Sequence, residues 1–265
     1  MIPDLTILSA GRAEILVAFL RAFLRSPSSG KFRLCIGNDG SFPPLFLRRL
    51  AEIPNISVFD YAPIFAAARA QFHRDEHHAG WATKPAVIAR CPTRWCLWLD
   101  HDCEVLGDLS PIAEYAIASG KWFAAPFYAS LPTLRYAWTR LAQNGLCVVD
   151  THSPRLAEWL EATARRKNAN DEESFVAMYG SAAAAATDCC DLARANWYAS
   201  PDCFADRIRG WHAASEAMAR RSPPPIVRHW TAGQGKIRFR ALYPGHRFRL
   251  PHPARPPRPN FAKPW

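Results

Sequence analysis

Short, densely apolar runs alternate with longer stretches of helical period over the first sixty residues, and this alternation sets the expected architecture. Residues 5–9 form an apolar run that stops at Ser9, Ala10 and Gly11, after which residues 13–24 place apolar side chains at helical spacing and end at Ser26 and Pro27. Residues 32–36 read as a second strand closed by Gly37, Asn38, Asp39 and Gly40, residues 46–51 as a short helix, and residues 56–59 as a third strand. The β-α-β-α-β order is that of a doubly wound α/β sheet. Its first strand-to-helix turn lacks G-x-G-x-x-G, which removes the main support for a nicotinamide or flavin site.

The pattern continues with a helix over residues 64–78, a segment 81–90 leading into the most apolar strand of the chain at 95–99, and a helix over 112–119. Strands are expected at 122–127 and 146–149. An amphipathic helix over 154–166 starts with Ser153 as its cap and Pro154 at its first position. Asn170 is placed to cap the next helix, whose first turn is Asp171, Glu172 and Glu173, where acids complement the helix dipole. Residues 181–186 are a run of small side chains without legible chemistry, and Trp197 and Trp211 mark an aromatic region.

The strand at 95–99 stops on Asp100, His101 and Asp102. The carboxyl end of a buried strand is where open α/β sheets bind ligands. Two carboxylates that close repel one another unless a cation lies between them, and oxygen ligands at this spacing suit Mg or Mn, which would in turn hold a diphosphate. Lys84, sixteen residues earlier, is placed to reach such a diphosphate. A second concentration of chemistry lies at residues 229–236, where His229, Gly233, Gly235 and Lys236 fall within eight residues. Glycines let backbone N–H groups approach phosphate oxygens, the lysine adds a point charge, and a neutral imidazole is a common ligand of first-row metals. The segment is expected to be a glycine-rich loop.

Composition narrows the class. A chain of 265 residues with 49% hydrophobic content can bury one substantial core. Its best membrane candidate, residues 15–24, is too short to span a bilayer and contains Arg21. Met1 leads almost at once into the first strand, so no signal peptide is expected. The eight cysteines include no C-x-x-C pair, and reduced, mostly buried thiols of a cytoplasmic protein are the expectation. Residues 217–265 hold 11 of the 33 basic residues and none of the 23 acids, so the net charge of +10 belongs to this end of the chain.

Residues 237–265 interleave arginines with Phe239, Tyr243, Phe248, Phe261 and Trp265 among prolines, a composition that disfavours a regular helix. Such a tail fits peripheral docking on the anionic inner face of a membrane. The same chemistry binds single-stranded nucleic acid, which makes a nucleic-acid-binding protein the second reading. It is the weaker one, since the charge is confined to one tail and no recognition motif accompanies it. A third reading comes from His73, Glu76 and His77, an H-x-x-E-H pattern of the inverted zinc peptidases, although Arg74, Asp75 and His78 make it the polar end of a solvated helix.

Taken together, four stretches resemble a GT-A fold glycosyltransferase, closest to the retaining glycosyltransferase family 8: residues 97–102 (LWLDHD) its strand plus D-x-D, 143–150 (QNGLCVVD) its N-x-G strand, 171–175 (DEESF) its D-Q-D-x-L, and 229–236 its H-x-x-G-x-x-K. The resemblance implies a single GT-A, Rossmann-like domain over 1–240, a mostly parallel twisted sheet flanked by helices, followed by the basic tail 241–265. It further implies a metal-dependent hexosyltransferase that uses a nucleotide-diphosphate sugar and a glycan, lipid-linked or lipopolysaccharide-type acceptor, with retention. Asp100, Asp102 and His229 would bind the Mn or Mg ion, and Asp100, Lys84, Gly233 and Lys236 would meet the nucleotide sugar. Gln143 and Asn144 would address sugar hydroxyls, Ser9 would end the strand that faces the nucleotide, and Asp171 and Glu172 would lie beneath the anomeric carbon. This chain departs from the pattern in a histidine segment one residue longer, in Gln143 for asparagine, and in Glu172 for glutamine.

Overall fold

The computed structural model describes residues 4–71, 76–130, 141–165, 170–194, 196–200, 220, 222–230 and 232–244. Its first half follows the expected alternation: β1 (Leu5–Ala10), α1 (Ala13–Arg25), β2 (Arg33–Asn38), α2 (Pro44–Ala51), β3 (Ile56–Asp60), α3 (Ala62–Gln71), α4 (Glu76–Ile88) and β4 (Trp95–Leu99). The single helix expected over 64–78 is thus divided between α3 and α4. The second of these runs on because Val87 and Ile88 are buried against the sheet.

Beyond β4 come β5 (Cys103–Val105), α5 (Ser110–Ala118), β6 (Phe123–Ala125), β7 (Leu146–Asp150), α6 (Pro154–Arg165), α7 (Asp171–Tyr179), α8 (Ala182–Asp188), β8 (Cys189–Asp191), β9 (Tyr198–Ala199), β10 (Val227–His229) and α9 (Ala232–Leu242). The small-residue run near 181 is α8, with Ser181 as its cap, accepting from Ala184 N–H at 3.1 Å. Asn170 caps α7 as the sequence indicates, its Oδ1 accepting from Glu173 N–H at 2.8 Å.

Seven strands form one sheet in the order β3-β2-β1-β4-β7-β6-β8. It is mostly parallel, and only β7 runs against its neighbours β4 and β6. Alternate side chains of β1 and β4 enter two separate cores: Leu97 and Leu99 face α1, α2 and α5, whereas Cys96 and Trp98 face α4, α6 and α7. Burial on both faces explains why β4 reads as a continuous apolar run.

The reversed strand has a consequence for function. Because β7 is antiparallel to β4, pairing Leu99 with Leu146, its N-terminal end lies beside the carboxyl end of β4. Gln143, Asn144 and Gly145 are therefore delivered to Asp100, whose N–H donates to the Gly145 carbonyl at 2.8 Å.

A second sheet, β5-β10-β9, completes the arrangement and was not visible in the apolar pattern. Antiparallel pairing of His229 with Cys103 and Arg228 with Glu104 brings residues more than a hundred positions apart into register, and Trp230 N–H closes onto the Asp102 carbonyl at 2.9 Å. Helix α9 continues to Leu242, and the Tyr243 hydroxyl donates to Glu104 at 2.7 Å. All seven cysteines among the described residues are free thiols. No helix there is long and apolar enough to cross a membrane.

Candidate functional site

Five segments converge on the carboxyl edge of β4: Asp100–Asp102, the 143–145 turn, the first turn of α7, the end of β10 and the first turn of α9. The two carboxylates of the D-x-D point the same way. Asp102 Oδ1 lies 3.0 Å from His229 Nε2, and Asp100 Oδ2 lies 3.8 Å from the same nitrogen. The intervening His101 turns away. Its Nδ1 lies 3.1 Å from the Ala10 carbonyl, and its ring covers Gly11, where an added Cβ would come within 2.4 Å of Nδ1. A second glycine serves the other imidazole: a Cβ on Gly145 would fall 2.2 Å from His229 Cε1. Glycine at both positions follows from close approach of the two rings.

Lys236 Nζ is 3.3 Å from Asp102 Oδ2. Burial by itself raises the Asp102 carboxyl, but the charge and hydrogen bond of His229, with Lys236, outweigh it and hold the group well below the usual carboxylate range. Lys84 is buried in the third turn of α4, at 3.1 Å from Asp100 Oδ1, 2.9 Å from Asp171 Oδ2 and 3.2 Å from the Asn144 carbonyl. Burial would push its ammonium down. Asp100 and Asp171 reverse that and hold it well above the usual lysine range. Lys84 therefore spans two carboxylates from the interior of α4.

Asp171 and Glu172 lie beside Asn144 in the same cluster. Glu172 Oε2 accepts from the Tyr128 hydroxyl at 2.8 Å and Oε1 from the Asn144 N–H at 3.3 Å. Asn144 Nδ2 is 3.5 Å from Asp171, while its buried Oδ1 has no hydrogen-bond partner among the described residues. A buried acceptor left unmatched is costly, and it marks where a donor hydroxyl of a ligand would be satisfied.

Other expectations fare differently. Gln143 is buried with its amide engaged by Tyr198 and Ser200. Ser9 is fully buried in β1, its hydroxyl without a partner among the described residues. The glycine-rich segment is helical: Gly233 and Gly235 are in the first turn of α9, and a Cβ added at Gly235 would come 3.0 Å from the Trp230 backbone. A helix N-terminus presents N–H groups to anions as a loop would. His73 and Trp211 lie outside the described residues, and Glu76 and His77 open α4. Tyr128, Tyr198 and Ser200 were missed, since lone hydroxyls carry no spacing signal.

The donors fit a divalent cation. Ligands held about 2.1 Å from an octahedral metal lie roughly 3.0 Å apart when adjacent, and Asp102 Oδ1 and His229 Nε2 are 3.0 Å apart. Cys103 Sγ falls within 4.8 Å of both groups. Its thiol donates to the Gly145 carbonyl at 3.3 Å, and burial raises it far above the ordinary thiol range, so it remains protonated. With the thiol protonated, Asp102 and His229 remain the pair of donors close enough to share a cation, and Asp100 Oδ2 stands 3.8 Å from the same nitrogen.

No family model matches the sequence, and comparison with curated proteins gives no match. Solved structures do match. The galactosyltransferase LgtC in complex with donor and acceptor sugar analogs is similar at a TM-score of 0.57 and 16% identity, over 90% of this chain and 95% of that one. Mouse xyloside xylosyltransferase 1, in its apo form, gives 0.57 and 13% identity over 85% and 97% of the two chains. The glycosyltransferase GlyE of Streptococcus pneumoniae TIGR4 gives 0.57 and 11% over 90% and 59%. The likeness establishes the GT-A fold for this chain.

Proposed function

We propose that this chain is a metal-dependent glycosyltransferase that moves a hexose from a nucleotide-diphosphate sugar, with UDP the leading candidate, to a glycan or lipid-linked acceptor with retention of configuration. The observation that carries the reading is the convergence of Asp100, Asp102 and His229, with Lys236 beside them and Asn144, Asp171 and Glu172 across the opening. Neighbours of the same fold are described as a galactosyltransferase with donor and acceptor sugar analogs and as a xylosyltransferase, which supports sugar transfer here.

Departure of the diphosphate leaves negative charge on its oxygens and positive charge on the sugar ring. Mn or Mg, held by Asp100, Asp102 and His229, supplies Lewis-acid stabilisation of the leaving oxygens when bound. Lys236 adds a cation beside Asp102, and the N–H groups of the first turn of α9 add a favourable dipole. Asp171 and Glu172 answer the positive charge. Lys84 pins Asp171, whereas Glu172 is oriented by the Tyr128 hydroxyl and the Asn144 N–H. Attack by Glu172 on the anomeric carbon followed by attack of the acceptor hydroxyl gives retention by two displacements. Same-face departure and attack gives retention without a covalent intermediate. The unmatched Asn144 Oδ1 would accept from a sugar hydroxyl.

The basic segment 241–265 is proposed to hold the enzyme against the anionic inner face of a membrane, where each cation is worth about 1 kcal/mol. That attachment suits a lipid-linked or lipopolysaccharide-type acceptor. Co-sedimentation with phosphatidylserine vesicles should be lost at high salt and on removal of residues 245–265.

Testing the function requires a panel of nucleotide sugars with and without Mn. Metal-dependent release of sugar from one donor, abolished in Asp102→Asn, supports the reading; no metal-dependent turnover with any donor refutes it. Product stereochemistry for the wild type and Glu172→Gln then tests retention, and an inverted product excludes both routes.

A further inference from the structure

The two ring nitrogens of His229 face different surroundings. Nε2 points at the carboxylates, 3.0 Å from Asp102 and 3.8 Å from Asp100. Nδ1 points the opposite way, 2.6 Å from the Tyr198 hydroxyl. The same hydroxyl meets Gln143 Oε1, and Gln143 Nε2 reaches Ser200 Oγ at 3.3 Å. All four side chains are buried, which removes bulk water as an alternative partner.

Counting donors fixes the direction of this chain. A phenol has one proton and an amide oxygen has none, so Tyr198 donates to Gln143 Oε1. The phenol oxygen then serves His229 only as an acceptor. Nδ1 must carry a ring proton, so the proton that Nε2 shares with Asp102 is the one a bound cation would replace, leaving the Nε2 lone pair facing Asp100 and Asp102. That tautomer ligates a metal through Nε2; the opposite one places an N–H there and cannot.

We infer that Tyr198, itself held by Gln143, fixes His229 in its Nε2-ligating tautomer and orientation. Tyr198 and Gln143 are positioning residues for the divalent cation and act on it only through His229. The inference rests on the metal-dependent reading above and reassigns Gln143 from the donor sugar to the imidazole.

The test uses full-length protein stripped of metal. Mn(II) affinity is read from the electron paramagnetic resonance of the free ion, and nitrogen ligation from ¹⁴N modulation of the bound ion's spin echo. Tyr198→Phe should weaken Mn(II) binding by about 10- to 100-fold and diminish the ¹⁴N modulation, an effect that a purely structural role would not produce. Gln143→Met, which frees Tyr198 to donate to Nδ1, should do the same and serves if Tyr198→Phe does not fold. Either variant keeping wild-type affinity and full ¹⁴N modulation overturns the inference, as does a wild-type spectrum without ¹⁴N modulation, which needs no variant. Asp102→Asn separates the two levels of the account: if it binds Mn(II) as the wild type does, the metal reading itself fails.

Discussion

Asp102 and Glu104 stand two residues apart, both buried, and both meet partners on or just after β10. Around Glu104 the charges pair one to one, although Arg228 Nε has no partner among the described residues. Oε2 accepts from Arg228 at 3.0 Å and from Trp230 Nε1 at 2.8 Å, and Oε1 accepts from the Tyr243 hydroxyl at 2.7 Å. One anion, one guanidinium and two neutral donors tie α9 to the small sheet, with Arg25 stacked over Tyr243. Around Asp102 the charges do not pair one to one. Four carboxylates, from Asp100, Asp102, Asp171 and Glu172, gather near the His229 imidazole and two ammonium groups, Lys84 and Lys236, and Asn144 Oδ1 is unmatched among the described residues. Folding alone would favour the Glu104 pattern at both places. Surplus negative charge at a strand's carboxyl end is instead what a site for a cation and its anionic ligand requires.

The sharpest way to break this comparison is Asp102→Asn. Sugar transfer should fall on the order of a thousandfold, about 4 kcal/mol of transition-state stabilisation, and the rise in melting temperature produced by Mn(II) should vanish. Glu104→Ala should do the reverse. Leaving Arg228 buried and unpaired costs about 3–5 kcal/mol, seen as a lower denaturation midpoint, while the Mn(II)-induced rise persists in the folded fraction. Loss of that rise in Glu104→Ala would erase the distinction between the clusters.

Gly145→Ala sharpens the comparison further, because its Cβ would come 2.2 Å from His229 Cε1 and push the imidazole off the carboxylates. Mn(II) affinity should fall by about 10- to 100-fold, as on loss of an orienting partner, measurable by titration calorimetry. The smallest effect concerns pH. Asp102 is held below its ordinary range, so its stabilising contribution is whole above the unfolded carboxylate pKa of about 3.9 and is lost as pH falls from there toward the lowered native value. Metal-free wild type should therefore lose stability faster than Asp102→Asn below about pH 4, while the difference between them stays constant from pH 5 to 7 in urea melts.

Much of the fold was legible because burial on both faces leaves apolar runs such as residues 95–99, and because helix caps such as Asn170 have a local signature. The D-x-D was legible for the same reason, as acids abruptly ending such a run. The β5-β10-β9 sheet was not. Its strands are two or three residues long, too short for any periodicity, and pairing between 103 and 229 is a property of the closed chain. Gln143 illustrates the limit at the level of a side chain. Its neighbours in sequence placed it near the site, but only the hydroxyl of Tyr198, 55 residues away, decides which way its amide points. Lys84 was placed correctly near Asp100, whereas its second carboxylate, Asp171, comes from a helix whose approach the sequence pattern does not encode.

The central claim is that Asp100, Asp102 and His229 together bind one divalent cation. Counting bound Mn(II) by paramagnetic resonance in metal-stripped wild type, Asp102→Asn and His229→Ala tests it most directly. The account predicts one saturable site per chain in the wild type, tightened by a nucleoside diphosphate, and none in either variant. Wild-type protein that leaves Mn(II) free at millimolar concentration, or variants that bind it as tightly as the wild type, would contradict it.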